Sequence, residues 1–258
     1  MVSYDTGTAR WARLALLLAG GGARSRRLLA GEPLAGDPFE VLERAGAPAA
    51  VLGAAARMLR EAVPGLLAAL EGIGWRWLAP ADSEFPERLR STADPPLGLF
   101  ARGRLTAAPA VAVVGSRAAT PYGRQVARLL GEELARAGVV VVSGLARGVD
   151  ACAHQGALAA AGPTWAIWGS GPDRVYPPEH ARLAEAIADA GALITEYPPG
   201  TPPLRHHFPE RNRVIAGIAD ATVVVEAAAG SGALGTARQA LDEGREVFAV
   251  PGAIFSEL

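Results

Sequence analysis

Val111-Ala-Val-Val114 runs directly into Gly115-Ser116-Arg117-Ala-Ala-Thr120-Pro121-Tyr122-Gly123. A short apolar run, a glycine turn and a Thr-Pro pair read as strand, loop and helix start. Thr120 suits an N-cap, and Pro121 suits the first helical position, where no backbone N–H is needed. Free N–H groups at such a helix start could hold a phosphate. Downstream the alternation continues, with apolar runs at Val139–Val142, Thr164–Trp168, Leu193–Thr195, Thr222–Val225 and Val247–Val250. Nearly continuous apolar strands are expected when both faces of a parallel sheet are buried. Helical segments are predicted between them, at about 121–137, 149–161, 179–190, 211–219 and 233–243. The fold class is therefore α/β, a doubly wound and mostly parallel sheet.

Upstream the pattern differs. After a loose start over residues 1–9, residues 10–20, 37–45 and 48–70 have helical periodicity, and Asp37-Pro38 forms a cap followed by proline at the first turn. We read 1–78 as a small helical domain. Residues 79–109 are proline-rich without a strong period and read as an extended connector that packs on the next domain. Residues 110–258 form the α/β domain.

The 258-residue chain has a formal net charge of −1 and 25 basic residues, all arginine, because no lysine occurs. The near-neutral balance argues against coating of a polyanion, although local clusters of charge still decide nucleic-acid binding. Guanidinium forks suit phosphate oxygens and stack on bases. Asn212, the single asparagine, lies between Arg211 and Arg213. In a chain so poor in Asn and Lys, Asn212 reads as a helix cap with Arg211 and Arg213 gripping anions, or else as part of a solvated helix start. Apolar runs are too short to span a bilayer. Cys152 is the single cysteine, so no internal disulfide framework exists and a cytoplasmic, reducing compartment fits. His206-His207 are adjacent, but no His/Cys spacing suits zinc, and no metal or cofactor is expected.

Polar, glycine-containing segments follow each strand, and in a parallel sheet they emerge together at the carboxyl edge, where ligands bind. They supply Gly115, Ser116 and Arg117, then Ser143, Gly144 and Arg147. Arg205, Phe208, Arg211, Asn212 and Arg213 come next, and then Gly232. Arginines and backbone N–H groups hold phosphates, while an aromatic ring stacks a base. Phe208 reads equally as a hydrophobic staple before a helix. Asp150 reads as a helix cap and His154 as a packed or surface histidine. No Ser/His/Asp arrangement is evident, and no P-loop is possible without lysine.

The segments Val113–Gly123, Ser143–Leu158, Phe208–Gly217, Val224–Ala227, Ser231–Ala237 and Gly244–Gly252, together with Pro95–Phe100, resemble the DprA (Smf) family of DNA-processing proteins. That resemblance runs from about residue 75 to 252. It implies an extended Rossmann-like core preceded by a helical SAM-like domain, and commonly a homodimer. It also implies a non-catalytic protein that binds and protects single-stranded DNA during natural transformation and loads the RecA recombinase. By motif position, Arg117 would contact phosphate and Phe208 would stack a base, with Arg211 and Arg213 lining the pocket. Arg205 stands where the family often has lysine, which keeps the charge but changes the geometry. The family usually continues past the position of Leu258 with a glycine-rich loop and helix, often followed by a winged helix. The alternative is a nucleotide hydrolase resembling nucleoside-monophosphate phosphoribohydrolases. Gly232-Ala-Leu-Gly235-Thr236 lacks their paired glycines, and Gln239 stands in place of their glutamate.

Overall fold

The computed structural model describes residues 6–20 and 37–252, so part of the loose start read over residues 1–9 lies outside it. The chain divides into two compact units, Met1–Ala101 with Glu196–Pro198 and Arg102–Thr195 with Pro199–Leu258.

In the first unit the described helices are α1 (Thr6–Gly20), α2 (Pro38–Arg44), α3 (Ala49–Glu61), α4 (Val63–Glu71) and α5 (Glu87–Arg90). Asp37 caps α2 by accepting from the Phe39 N–H at 2.8 Å, with proline in the first turn. The segment 48–70, read as one helix, is two, with the second beginning just before Pro64. Proline lacks the N–H that a continuous helix needs there. The strands β1 (Trp75–Leu78) and β2 (Leu99–Gly103) lie at the end of the segment read as a helical domain and within the one read as a connector. Trp77 and Phe100 are buried with ring centroids 4.8 Å apart. The intervening loop is held by Arg90, which donates to the carbonyls of Pro80 and Asp82, each at 2.6 Å.

In the second unit six strands lie in the order β6 (Ala192–Thr195), β5 (Thr164–Ile167), β4 (Val140–Ser143), β3 (Ala110–Val114), β7 (Ala221–Val224) and β8 (Glu246–Ala249). Every pairing between them is parallel. The helices are α6 (Pro121–Arg136), α7 (Val149–Ala159), α8 (Ala181–Ala190), α9 (His207–Ile218) and α10 (Gly232–Asp242). From β3 the chain steps outward through β4 and β5 to β6, then returns to the other side of β3 as β7. Strand order therefore reverses between β3 and β7, which makes that gap the expected ligand position.

β4, β5 and β6 are buried at every residue. β8 departs from the expectation of burial on both faces: it is the edge strand, and Phe248 is 55% exposed. The core beside β3 and β4 is built of small side chains, Ala127, Ala135, Ala153 and Ala157 among them. These let α6 and α7 approach until a Cβ on Gly131 would collide with the Ala153 carbonyl, and one on Gly156 with the Arg128 carbonyl. His154, between those contacts, is fully buried. Thr164 donates its hydroxyl hydrogen to the Val141 carbonyl at 2.7 Å, so it accepts from His154 Nδ1, also at 2.7 Å.

Helix propensity alone would make Gly156→Ala stabilising by about 1 kcal/mol. The collision reverses the sign, and we expect a net destabilisation of about 1–3 kcal/mol, read from the denaturant midpoint. Burial also lowers the His154 pKa from 6.5 to about 3. Below pH 6.5 the unfolded chain takes up a proton at this site and the folded chain does not, so stability falls with acid. Between pH 7 and pH 5 this linkage removes about 2 kcal/mol. That increment should vanish in His154→Gln when denaturant unfolding is compared at the two pH values.

Candidate functional site

A cleft of about 920 Å³ opens at the β3/β7 reversal. Its walls are the loop after β3 (Gly115, Ser116, Arg117), the loop and helix start after β7 (Ser231, Gly232, Thr236) and one face of α9. Along α9 the lining positions are Phe208, Pro209, Arg211, Asn212 and Ile215, and all but Pro209 fall three, four or seven residues from Phe208. That is the inward stripe of an α-helix.

Beneath the cleft the chain is fastened by charge. Arg211 is only 4% exposed, and its Nη1 donates to the carbonyls of Gly144, at 2.8 Å, and Ile167. Asp150, in the first turn of α7, is also buried and accepts from the Gly144 N–H at 3.1 Å and the Ala146 N–H at 3.4 Å. Burial pushes the Asp150 carboxyl upward, opposed by the Arg211 charge and by these N–H donors. The sequence suggested a helix cap; the carboxylate instead folds the preceding loop back on its own helix. Gly148 takes φ +76°, and a Cβ there would collide with the Ser116 carbonyl. The Val149 N–H donates to that same carbonyl at 3.2 Å, so the loops after β3 and β4 are tied together.

Phe208 lies in the first turn of α9, half-buried, with the Arg117 guanidinium carbon 5.1 Å from its ring centroid. This is cation–π range. The Tyr176 ring is 5.4 Å away, tilted by 42°. Arg205 is exposed and lines the cleft, whereas Asn212 is buried, its Nδ2 donating to the Gly232 carbonyl at 3.1 Å. The lone asparagine therefore joins α9 to the start of α10.

The start of α6, where open N–H groups could have held phosphate, is already occupied. Glu226 accepts from the Thr120 N–H at 2.9 Å and from the Thr120 hydroxyl, and its carboxylate fills the space a Cβ on Gly123 would need. Thr120 itself caps the helix by accepting from the Gly123 N–H at 3.1 Å. An anion entering the cleft meets arginines rather than this helix end.

The residues singled out in the sequence separate into four groups. Gly115, Ser116, Arg117, Arg205, Phe208, Arg211, Asn212 and Gly232 line the cleft. Gly144 and Arg147 line a smaller adjoining pocket. Ser143 is fully buried behind the cleft, its hydroxyl donating to the Val113 carbonyl at 2.6 Å. Arg213, half-buried, is outside both linings, because its position on α9 faces away from the Phe208 stripe. The cleft is also lined by Tyr176, Pro203 and Ile215, to which the sequence reading gave no role. For Tyr176 the signal was an aromatic residue in a carboxyl-edge loop. Among the described residues no cluster of His, Cys, Asp or Glu could hold a metal, and no helix is long and apolar enough to cross a membrane.

Residues 76–258 match the family model of DNA recombination-mediator protein A. The chain belongs to this family. The Smf protein of Escherichia coli is 50% identical over 181 residues, covering 69% of this chain and 48% of that protein. The chain thus spans about half the length of that family member. The crystal structure of DNA processing protein A from Streptococcus pneumoniae superposes with a TM-score of 0.84 at 32% identity, covering 96% of this chain and 89% of the other. It carries the same helical N-terminal part and mostly parallel α/β sheet. DNA processing protein A of Helicobacter pylori, whose structure concerns a single-stranded DNA binding mode, superposes with a TM-score of 0.62 at 30% identity, covering 70% of this chain and 82% of that one.

For this family member the buried cation should be a requirement for folding. Arg211→Ala leaves Asp150 without its opposing charge and two carbonyls without their donor, and should destabilise the chain by about 3–5 kcal/mol. Thermal unfolding followed by circular dichroism measures it, with Arg117→Ala, at an exposed position, expected to stay near the parent.

Proposed function

We propose that the cleft binds single-stranded DNA with little preference for sequence. In this reading the chain is a non-catalytic recombination mediator that protects incoming strands during natural transformation and passes them to the RecA recombinase, acting as a homodimer. The observation that carries the binding role is Phe208 beneath the Arg117 guanidinium, at the edge of a cleft that also presents Arg205. A base that takes the covered face of Phe208 releases Arg117 to a phosphate. Backbone phosphates then supply most of the affinity and ring stacking supplies the rest, and neither selects strongly among bases. Gly115, Ser116, Gly232 and Asn212 shape the floor, Gly144 and Arg147 extend it, Arg211 anchors the lining, and Ser143 acts from behind. The single-stranded DNA binding mode described for the Helicobacter pylori relative supports this reading.

Two carboxylates near the cleft are committed to structure, which supports a binder over a hydrolase. Glu226 holds the start of α6, and Asp150 holds the loop after β4. Gln239, where the hydrolase pattern calls for glutamate, directs its amide toward the Pro209 carbonyl at 3.5 Å.

Fluorescence anisotropy of a labelled oligothymidylate over a salt series tests the proposal. The log–log slope should be about −2 to −4, corresponding to roughly 0.7 per phosphate neutralised. Arg117→Ala and Arg205→Ala should each weaken binding and flatten the slope by about 0.7. Phe208→Leu should weaken binding by about tenfold with little change of slope. Displacement of the oligonucleotide by stoichiometric AMP, or parental affinity in all three variants, would overturn it.

A further inference from the structure

The Tyr176–Phe208 pair stands between two spaces. One is the main cleft. The other is a small pocket of about 30 Å³ whose far wall includes Gly144, Arg147 and Pro177. Both rings and Arg117 line both spaces. The tilt of 42° at 5.4 Å makes the rings two platforms rather than one closed stack. Beyond them the Arg147 side chain is 56% exposed and is held by Glu179, whose side chain is 50% exposed. Arg147 Nε and Nη2 lie 2.6 Å and 2.5 Å from one carboxylate oxygen of Glu179. Exposed ion pairs of this kind contribute little to stability. Here the pair places a carboxylate on a cation that adjoins the small pocket.

We propose that a bound strand crosses this aromatic partition. One base rests on Phe208 and a neighbouring base on Tyr176, and a phosphodiester beyond them is taken by Arg147 in competition with Glu179. The inference rests on the reading of the cleft as a single-stranded DNA site. It adds Tyr176 as a second stacking residue, and Glu179 as a brake on affinity whose removal strengthens binding.

The same anisotropy assay tests it, using the exposed positions Glu179 and Arg147 and the half-buried Tyr176. Glu179→Gln should tighten oligothymidylate binding about threefold and steepen the salt slope by about 0.3, as an Arg147 shared about equally in the parent is released wholly to its phosphate. Arg147→Ala should weaken binding and flatten the slope by a similar amount, and combining the two should abolish the Glu179→Gln gain. Tyr176→Phe should bind like the parent and Tyr176→Leu about tenfold more weakly. An oligothymidylate carrying 5-iodouracil should give photo-adducts on both Tyr176 and Phe208, a readout that a purely structural Tyr176 would not produce. Adducts on Phe208 alone, or parental affinity and slope in Glu179→Gln and Arg147→Ala while Arg117→Ala still weakens binding, overturn the inference and leave the DNA reading standing. A parent protein that fails to bind, or that binds without regard to Arg117, overturns that reading and this inference with it.

Discussion

Arg211 brings into the interior a charge that burial cannot remove, because guanidinium does not deprotonate in proteins. A cation in that position must be met by acceptors or cost several kcal/mol. Gly144 and Ile167 meet it with carbonyls, and Asp150 meets it with opposite charge. These three groups belong to the loop after β4, the end of β5 and the first turn of α7. One side chain thereby sets α9 in register against three segments at the carboxyl edge. Phe208, one helical turn earlier, and Ile215, one turn later, take their positions from the same anchor. The cleft is thus shaped by an interaction lying mostly beneath it.

The negative groups are arranged to a complementary end. Helix starts attract anions, and α6 opens beside the cleft. Its own chain supplies the anion there in Glu226, and the Glu226 backbone carbonyl also accepts from the Ser116 N–H at 2.7 Å. One residue after β7 therefore holds both the loop after β3 and the helix that follows it. The lining of the cleft keeps Arg117 and Arg205 together with the rings of Phe208 and Tyr176.

Much of the α/β unit was legible because its central strands are buried on both faces and so read as unbroken apolar runs. The same rule misjudged β8, since Val247-Phe-Ala-Val250 is as apolar as an inner strand while its exposure depends on sheet order. β1 and β2 escaped notice because their pairing is not local and prolines crowd the segment between them. At the cleft, residue types were legible but their duties were not. Arg211 and Arg213 flank Asn212 symmetrically in sequence, and only the helical phase set by Phe208 separates the buried one from the one outside the lining. Tyr176 meets Phe208 across a long stretch of chain, a proximity that no local pattern encodes.

The guanidinium over Phe208 also governs how ligands compete. Whatever takes that face must first displace Arg117, so the receptive arrangement is a fraction of the free population and apparent affinity falls by that fraction. An isolated nucleotide bears this loss in full. A polymer bears it once and then gains from every further contact made at high effective concentration. In the proposed reading as a single-stranded DNA site, the cleft is thereby biased against fragments and toward length, so mononucleotide pools and short degradation products are poor rivals for a long strand.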